Sequence, residues 1–224
     1  MTSSIAQWLQ KFRGITVIAP HPDDEVLGAY GIIRRAQGLG LTVDVHVVTD
    51  GERCFGDLPQ QEDLRLRQTR QQESCQVAAL IGYPEPTFWS LSDSQVMQQE
   101  RELDELLRRY CTADSLCIAP WFHDGHPDHE AVGLRVKQLA AQGHCTALFY
   151  PVWALVDPQR SSQFFNQGHV SRLALTEEEL AQKKSAMRLF RSQSETPAHG
   201  GTAIVQTHHM AQMLTHQESY WYEA

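Results

Sequence analysis

Between Gly14 and Tyr150, apolar runs of strand length alternate with segments of helical period, and this alternation constrains the fold more than any other feature of the sequence. Gly14–Pro20 is β-branched, apolar and ended by a proline, as a buried strand is. Asp24–Gly38 follows with Val26, Leu27, Tyr30 and Ile33 at helical spacing, then glycines at 38 and 40. The pattern repeats as strand 42–48, helix 61–81, a weaker strand at 88–91, a helix from about 94 to 110, strand 115–119, helix 130–141 and strand 146–150. Each strand is joined to the next by a helix, so the expected architecture is a three-layer α/β domain with a mostly parallel sheet covered on both faces.

Beyond Asp157 the period weakens. Leu173–Leu175 reads as a short strand, Thr176–Glu179 as a capping box opening a helix to about Arg191, and His208–Leu214 as a last short helix. No repeat or internal boundary interrupts the 224 residues, which are expected to form a single domain with residues 152–224 as a C-terminal cover over the cleft. A net charge of −8 argues against a nucleic-acid surface. No apolar stretch approaches membrane-spanning length, and the N-terminus lacks the pattern of a secretion signal. Ile5, Trp8 and Leu9 suggest instead a short helix laid across the domain. The five cysteines, at 54, 75, 111, 117 and 145, are odd in number and widely spaced, as expected of reduced thiols in a cytoplasmic protein.

The chemistry concentrates in two similar turns. Ile18-Ala-Pro-His-Pro-Asp-Asp-Glu25 and His126-Pro-Asp-His-Glu130 each follow a strand, and each opens a helix with His-Pro-Asp-x-Glu. In a parallel sheet, turns after strands of the same sense gather on one edge, where clefts form. His21 and Asp24 lie close enough in sequence to share an ion, and His129 is the natural third ligand. Two imidazoles and a carboxylate leave a position open for water, which suits Zn(II) and also admits Fe(II) or another first-row ion. Asp23 is the candidate general base, and His126 the candidate acid or oxyanion stabiliser, held and charged by Asp128. Either motif alone could do no more than cap a helix; it is their repetition that points to a metal site. His123 is a weaker fourth ligand, and His46 reads as structural.

Ala19–Gly28 together with Asp124–Gly133 resembles the PIG-L/LmbE family of zinc-dependent N-deacetylases. The resemblance continues through Thr49–Glu52, Arg70–Glu73, Asp93, Lys184 and Ser192–Gln193. It implies a Rossmann-like fold without a dinucleotide, and removal of an acetyl group from an N-acetylglucosamine-like small molecule. It assigns His21, Asp24 and His129 to the metal, Asp23, His126 and Asp128 to catalysis, and Arg70 and Asp93 to possible contacts with sugar hydroxyls. Some members carry a tyrosine two residues before the histidine of the second motif, where this chain has Asp124. A carboxylate there would repel an oxyanion unless it points away or binds a cation. A metal phosphoesterase and a non-catalytic metal- or cofactor-binding module remain alternatives, and the sequence leaves the oligomeric state open.

Overall fold

The computed structural model describes residues 5–166, 169–195 and 202–223; residues 167–168, 196–201 and 224 of the expected cover lie outside these. The central sheet contains β1 (Gly14–Ala19), β2 (Thr42–Thr49), β3 (Thr87–Leu91), β4 (Ser115–Pro120), β5 (Thr146–Tyr150), β6 (Val170–Ala174) and β7 (Gln217–Trp221), in the order β3-β2-β1-β4-β5-β7-β6. β1 to β5 run parallel, while β7 is antiparallel to both β5 and β6. This is the expected Rossmann-like arrangement. The chain moves outward from β1 through β2 to β3 and then returns to β4 on the other side of β1, leaving a crevice where the order reverses.

Side chains alternate across the sheet. Ile15, Val17, Leu116, Ile118 and Leu148 enter one core, and Ile18, Cys117, Ala119, Ala147 and Phe149 enter the other. Helices α1 (Ile5–Leu9), α2 (Asp24–Gly38), α3 (Gln60–Ile81), α7 (Glu177–Met187) and α9 (Thr207–Met213) contribute to the first core. Helices α4 (Glu100–Tyr110), α5 (Pro127–Ala141) and α6 (Pro158–Asn166) contribute to the second. β1, β4 and β5 are buried on both faces, which is why they read as unbroken apolar runs.

Several boundaries differ from the sequence expectation. Helix α5 starts at Pro127 rather than Glu130, because proline at the first helical position costs no hydrogen bond. A 3-10 turn (Val96–Gln99) precedes α4. The helix expected to reach Arg191 ends at Met187, and a separate turn of helix, α8 (Arg191–Ser194), follows. Helix α6 and strand β7 were not expected at all. β7 is held in place by polar contacts within the core. Lys183 Nζ donates to Glu218 Oε1 at 2.7 Å and to the Leu27 carbonyl at 2.8 Å, and Glu218 Oε2 accepts the Gly31 N–H at 2.8 Å. Leu27 C=O and Gly31 N–H are the pair that a regular helix would join to each other, so α7 and β7 both grip α2 there. A Cβ at residue 31 would stand 2.7 Å from that glutamate oxygen, so a larger residue there would have to displace it.

Candidate metal centre

The first turn leaves β1 at Ala19, and the Pro20 carbonyl accepts both the N–H and the hydroxyl of Thr49, each at 3.0 Å. Asp23 then adopts φ 118°, a region that non-glycine residues seldom occupy, at a cost of roughly 1–3 kcal/mol. This strained residue reverses the chain, so that α2 begins at Asp24 with the Asp24 carboxylate turned back to accept the His21 N–H at 2.9 Å. The second turn differs. Its helix starts at the proline, His126 is the extended N-cap, and its Nδ1 accepts the Asp128 N–H at 3.3 Å.

The two turns meet at three atoms. His21 Nδ1 lies 3.3 Å from both Asp24 Oδ2 and His129 Nε2, and His129 Nε2 lies 3.1 Å from Asp24 Oδ2. A tetrahedral ion with bonds of about 2.0–2.2 Å separates its ligand atoms by roughly 3.3–3.6 Å, so this triangle has close to the dimensions of one face of such a site. His126 stands beside it, its ring centroid 4.6 Å from that of His21 and 5.1 Å from that of His129. Among the described residues, ligand atoms of His21, His126 and His129, and separately of His21, Asp93 and Asp128, fall within 4.8 Å of one another.

The outer contacts hold the imidazoles in orientation. Asp124 Oδ2 faces His129 Nδ1 at 2.8 Å, while the same carboxylate accepts the N–H groups of Val152, Trp153 and Ala154 at 2.8–3.1 Å. Asp124 thus points away from the cavity and fixes the ring of a candidate ligand, the arrangement that raises imidazole basicity at metal sites. The sequence placed Asp128 on the His126 ring. Its carboxylate lies instead on His21 Nε2 at 3.3 Å and accepts the N–H groups of Ser94 and Val96 at 2.7 and 3.3 Å. Asp93, the possible sugar contact, also touches His21 Nε2, at 3.2 Å, and accepts the Arg53 N–H at 2.9 Å. Arg70 is 2% exposed, with one guanidinium nitrogen on the Gly51 carbonyl. His123 packs against Trp121 and Phe122, outside both clusters. His46 is buried against Trp89 and Tyr110, as a structural histidine. Tyr150 donates to the Ile18 carbonyl at 2.8 Å, so its hydroxyl is already engaged within the sheet.

Five carboxylates (Asp23, Asp24, Asp93, Asp124 and Asp128) are each at most 3% exposed in this small volume. Buried charge on that scale requires cations. Burial opposes a charge on His129, but the Asp24 charge and the hydrogen bond to Asp124 outweigh it and raise its pKa to about 9. Burial likewise opposes a charge on His21, and hydrogen bonds to Asp128, Asp24 and Asp93 raise it well above the ordinary range. Burial works against the Asp24 carboxylate too, yet the His129 charge and hydrogen bonds from both histidines hold it far below the usual range. Protons on two imidazoles therefore balance the acids, and a divalent cation at the triangle would do the same once those protons leave. The donor set fits a divalent ion. His126 is pushed the other way, to about 4, by burial and by the His21 and His129 charges. In the metal-free protein this works against the expected imidazolium, and the bond from the Asp128 N–H to Nδ1 leaves a proton on Nε2. Burial and the Asp24 charge raise Asp23 well above the carboxylate range, against the pull of Arg70.

The cluster opens into a cavity of about 260 Å³ lined by His21, Asp23, Asp24, Arg70, Asp93 and His126, and also by Arg53, Cys54, Trp153, Gln193, Ile204 and Val205. Sequence reasoning named the first six for the site. Of the others, only Gln193 belonged to a recognised motif. The Gln193 side chain donates to the Pro22 carbonyl, and its main-chain carbonyl accepts the N–H groups of Ile204 and Val205 at 3.0 and 3.1 Å, tying this segment to the first turn. Lys184 does not line the cavity.

Residues 16–140 match the model of the PIG-L family, described as GlcNAc-PI de-N-acetylase. The chain belongs to this family. A curated relative, diacetylchitobiose deacetylase of Thermococcus kodakarensis, is 28% identical over 127 residues, which are 54% of this chain and 46% of that protein. The chain therefore spans about half the length of that relative. A deacetylase triple mutant from the teicoplanin biosynthetic pathway shares the fold at TM-score 0.64 and 14% identity, over 93% of this chain and 97% of that one. GalB, the 4-carboxy-2-hydroxymuconate hydratase of Pseudomonas putida KT2440, shares it at TM-score 0.56 and 16% identity, over 81% and 80%. The PIG-L fold thus carries more than one reaction, and function must be argued from the site. No helix among the described residues is long and apolar enough to cross a membrane.

Proposed function

We propose that this protein is a metal-dependent N-deacetylase that hydrolyses the acetyl amide of a small, N-acetylglucosamine-like molecule. The observation that carries this reading is the triangle of His21 Nδ1, Asp24 Oδ2 and His129 Nε2, with edges of 3.1–3.3 Å, opening onto a cavity that Asp23 and His126 also line. These three residues would hold Zn(II), or Fe(II) in its place. The ion, when bound, supplies Lewis acidity, lowering the pKa of a water molecule and polarising the acyl carbonyl.

Asp23 accepts a proton from the attacking water and returns it to the departing nitrogen. His126 donates from Nε2 to the oxygen as negative charge gathers there. Asp128 and Asp93 hold His21 through its other nitrogen, and Asp124 does the same for His129. Water and the amide are consumed, and acetate and a free amine are released. Arg70 and Asp93 are proposed to lie next to the sugar hydroxyls, Asp93 through its oxygen not directed at His21. Residues 152–224 act as the cover of a single domain, supported by the contacts of Val152–Ala154 with Asp124 and of Gln193 with Pro22. The five free cysteines support a cytoplasmic setting.

The second group of donors, His21, Asp93 and Asp128, bears on the two-ion phosphoesterase alternative. It shares the His21 ring with the first group, and both Asp128 oxygens already accept backbone N–H groups, so it favours one ion. The test is to strip the protein with a chelator, restore Zn(II) or Fe(II), and assay acetate and free amine from N-acetylglucosamine and N,N'-diacetylchitobiose. Metal-dependent acetate release is expected. Turnover that survives complete removal of metal would exclude the mechanism, and a metal-loaded protein inert towards a broad set of N-acyl amines would favour the binding module.

A further inference from the structure

Arg53 has a fixed backbone and an uncommitted side chain. Its N–H is held by Asp93 Oδ2 at 2.9 Å, the same carboxylate that faces His21. On its N-terminal side, Glu52 accepts the Asp93 N–H at 3.1 Å and pairs with Arg67 at 2.7 Å, while the Gly51 carbonyl is bound by Arg70. The main chain at residue 53 is thus fixed from several directions beside the candidate metal triangle. The guanidinium, by contrast, is 41% exposed, and its ion-pair partner among the described residues is Asp57 at 3.6 Å, itself 90% exposed. Such a pair is weak and readily exchanged for another anion.

Two arginines line the cavity. Arg70 is 2% exposed and holds the Gly51 carbonyl, which leaves Arg53 as the solvent-exposed cation of the lining. Asp23, Asp24 and Asp93 line the same cavity and would repel an anion, so an anionic group away from the ion is best met by the exposed Arg53. The cavity, at about 260 Å³, is smaller than the ~300–1,000 Å³ of typical small-molecule sites. It therefore encloses the acylated part of a substrate and leaves the rest at the mouth. We infer that Arg53 determines specificity by pairing with an anionic group, a carboxylate or a phosphate, carried by the substrate away from the scissile amide. A planar guanidinium grips either oxyanion through two parallel hydrogen bonds. This inference rests on the deacetylase reading for its reaction and on the Arg53 geometry for its selectivity.

The test compares three probes on the zinc-loaded protein: the methyl glycoside of N-acetylglucosamine, its carboxymethyl glycoside and N-acetylglucosamine 1-phosphate. The wild type should favour at least one anionic probe over the methyl glycoside by about tenfold in kcat/KM, mainly through KM, consistent with one charged hydrogen-bonded contact at a half-open site. That advantage should shrink as salt rises. Arg53→Ala should lower kcat/KM on the favoured anionic probe about tenfold more than on the methyl glycoside, and Arg53→Lys should keep part of the preference. Whichever anionic probe is favoured identifies the group as carboxylate or phosphate. Equal use of all three probes by the wild type, or an equal loss on all three in Arg53→Ala, overturns the inference and leaves the deacetylase reading standing. If no probe releases acetate, the deacetylase reading fails for these amino sugars. Calorimetric binding of the corresponding free amines then decides the Arg53 inference alone: anion-selective binding lost in Arg53→Ala supports it, and equal binding of charged and neutral amines overturns it.

Discussion

The two His-Pro-Asp-x-Glu turns share a pattern but do not do the same thing with it. In the second, the chain is helical from its proline onwards, so His126 is left as the N-cap and His129 points in from the first helical turn. In the first, the helix is delayed to the fourth position of the pattern by the reversal at Asp23. The delay brings His21 Nδ1 within 3.3 Å of Asp24 Oδ2. The fourth positions, Asp24 and His129, are equivalent and both reach the triangle, whereas the third positions part company. Asp23 lines the cavity, while Asp128 is spent on His21 and two backbone amides. Backbone geometry, rather than residue type, decides which aspartate is available to a substrate.

The largest effects should fall on the equivalent pair. Asp24→Ala and His129→Ala should each abolish stoichiometric zinc and reduce turnover at least ~10³-fold, since each removes a donor from a three-ligand site. One ion per chain with near-normal activity in either variant would break the equivalence. The third positions should then separate. Asp23→Asn should retain zinc while kcat drops about 10²–10⁴-fold, the range for loss of a general base. Asp128→Asn should chiefly weaken zinc binding, by about 10–100-fold, through a loosened His21. Metal titrations run beside kinetics distinguish them, and identical behaviour would mean that the two aspartates share one role. Asp124→Asn should resemble Asp128→Asn in its loss of affinity.

The smallest contrast lies at the fifth positions. Glu25 is fully buried, and burial pushes it up to about 8 from 4.5, while Glu130 is half-buried and paired with Arg160 at 2.9 Å. In the metal-free protein the folded state therefore keeps a proton on Glu25 that the unfolded chain releases. The stability tied to that proton is full below about pH 4.5 and is lost as pH rises towards 8, with a total on the order of a few kcal/mol. Glu25→Gln should flatten this part of the pH–stability curve, whereas Glu130→Gln should shift stability by less than about 1 kcal/mol at any pH. Urea denaturation at several pH values measures both, and an unchanged slope in Glu25→Gln would place its titration outside this window.

The parallel half of the sheet and the meeting of the two turns were legible in the sequence because both depend on local pattern. Strands buried on two faces read as continuous apolar runs, and consecutive strand–helix units bring their turns to one edge. β7 escaped notice because Gln217, Glu218 and Ser219 do not look like a buried strand; Glu218 enters the core only because Lys183 meets it there. The role of Asp124 was hidden for a similar reason, since its partners are a ring five residues ahead and a backbone segment some thirty residues away. The downward pKa shift of His126 in the metal-free protein follows from burial beside two charged imidazoles, which no spacing rule reports. Arg53 and Cys54 reach the cavity from a loop and Trp153 from a single 3-10 turn, and none carries a periodic signal.

The grip of Lys183 and Glu218 on helix α2 makes the chemistry sensitive to a distant part of the chain. Leu27 lies one helical turn past Asp24, so the rigidity of a candidate metal ligand is underwritten by a strand nearly two hundred residues downstream. Cutting the backbone ahead of β7 would remove no donor atom, yet it would free the helix that aims one of them.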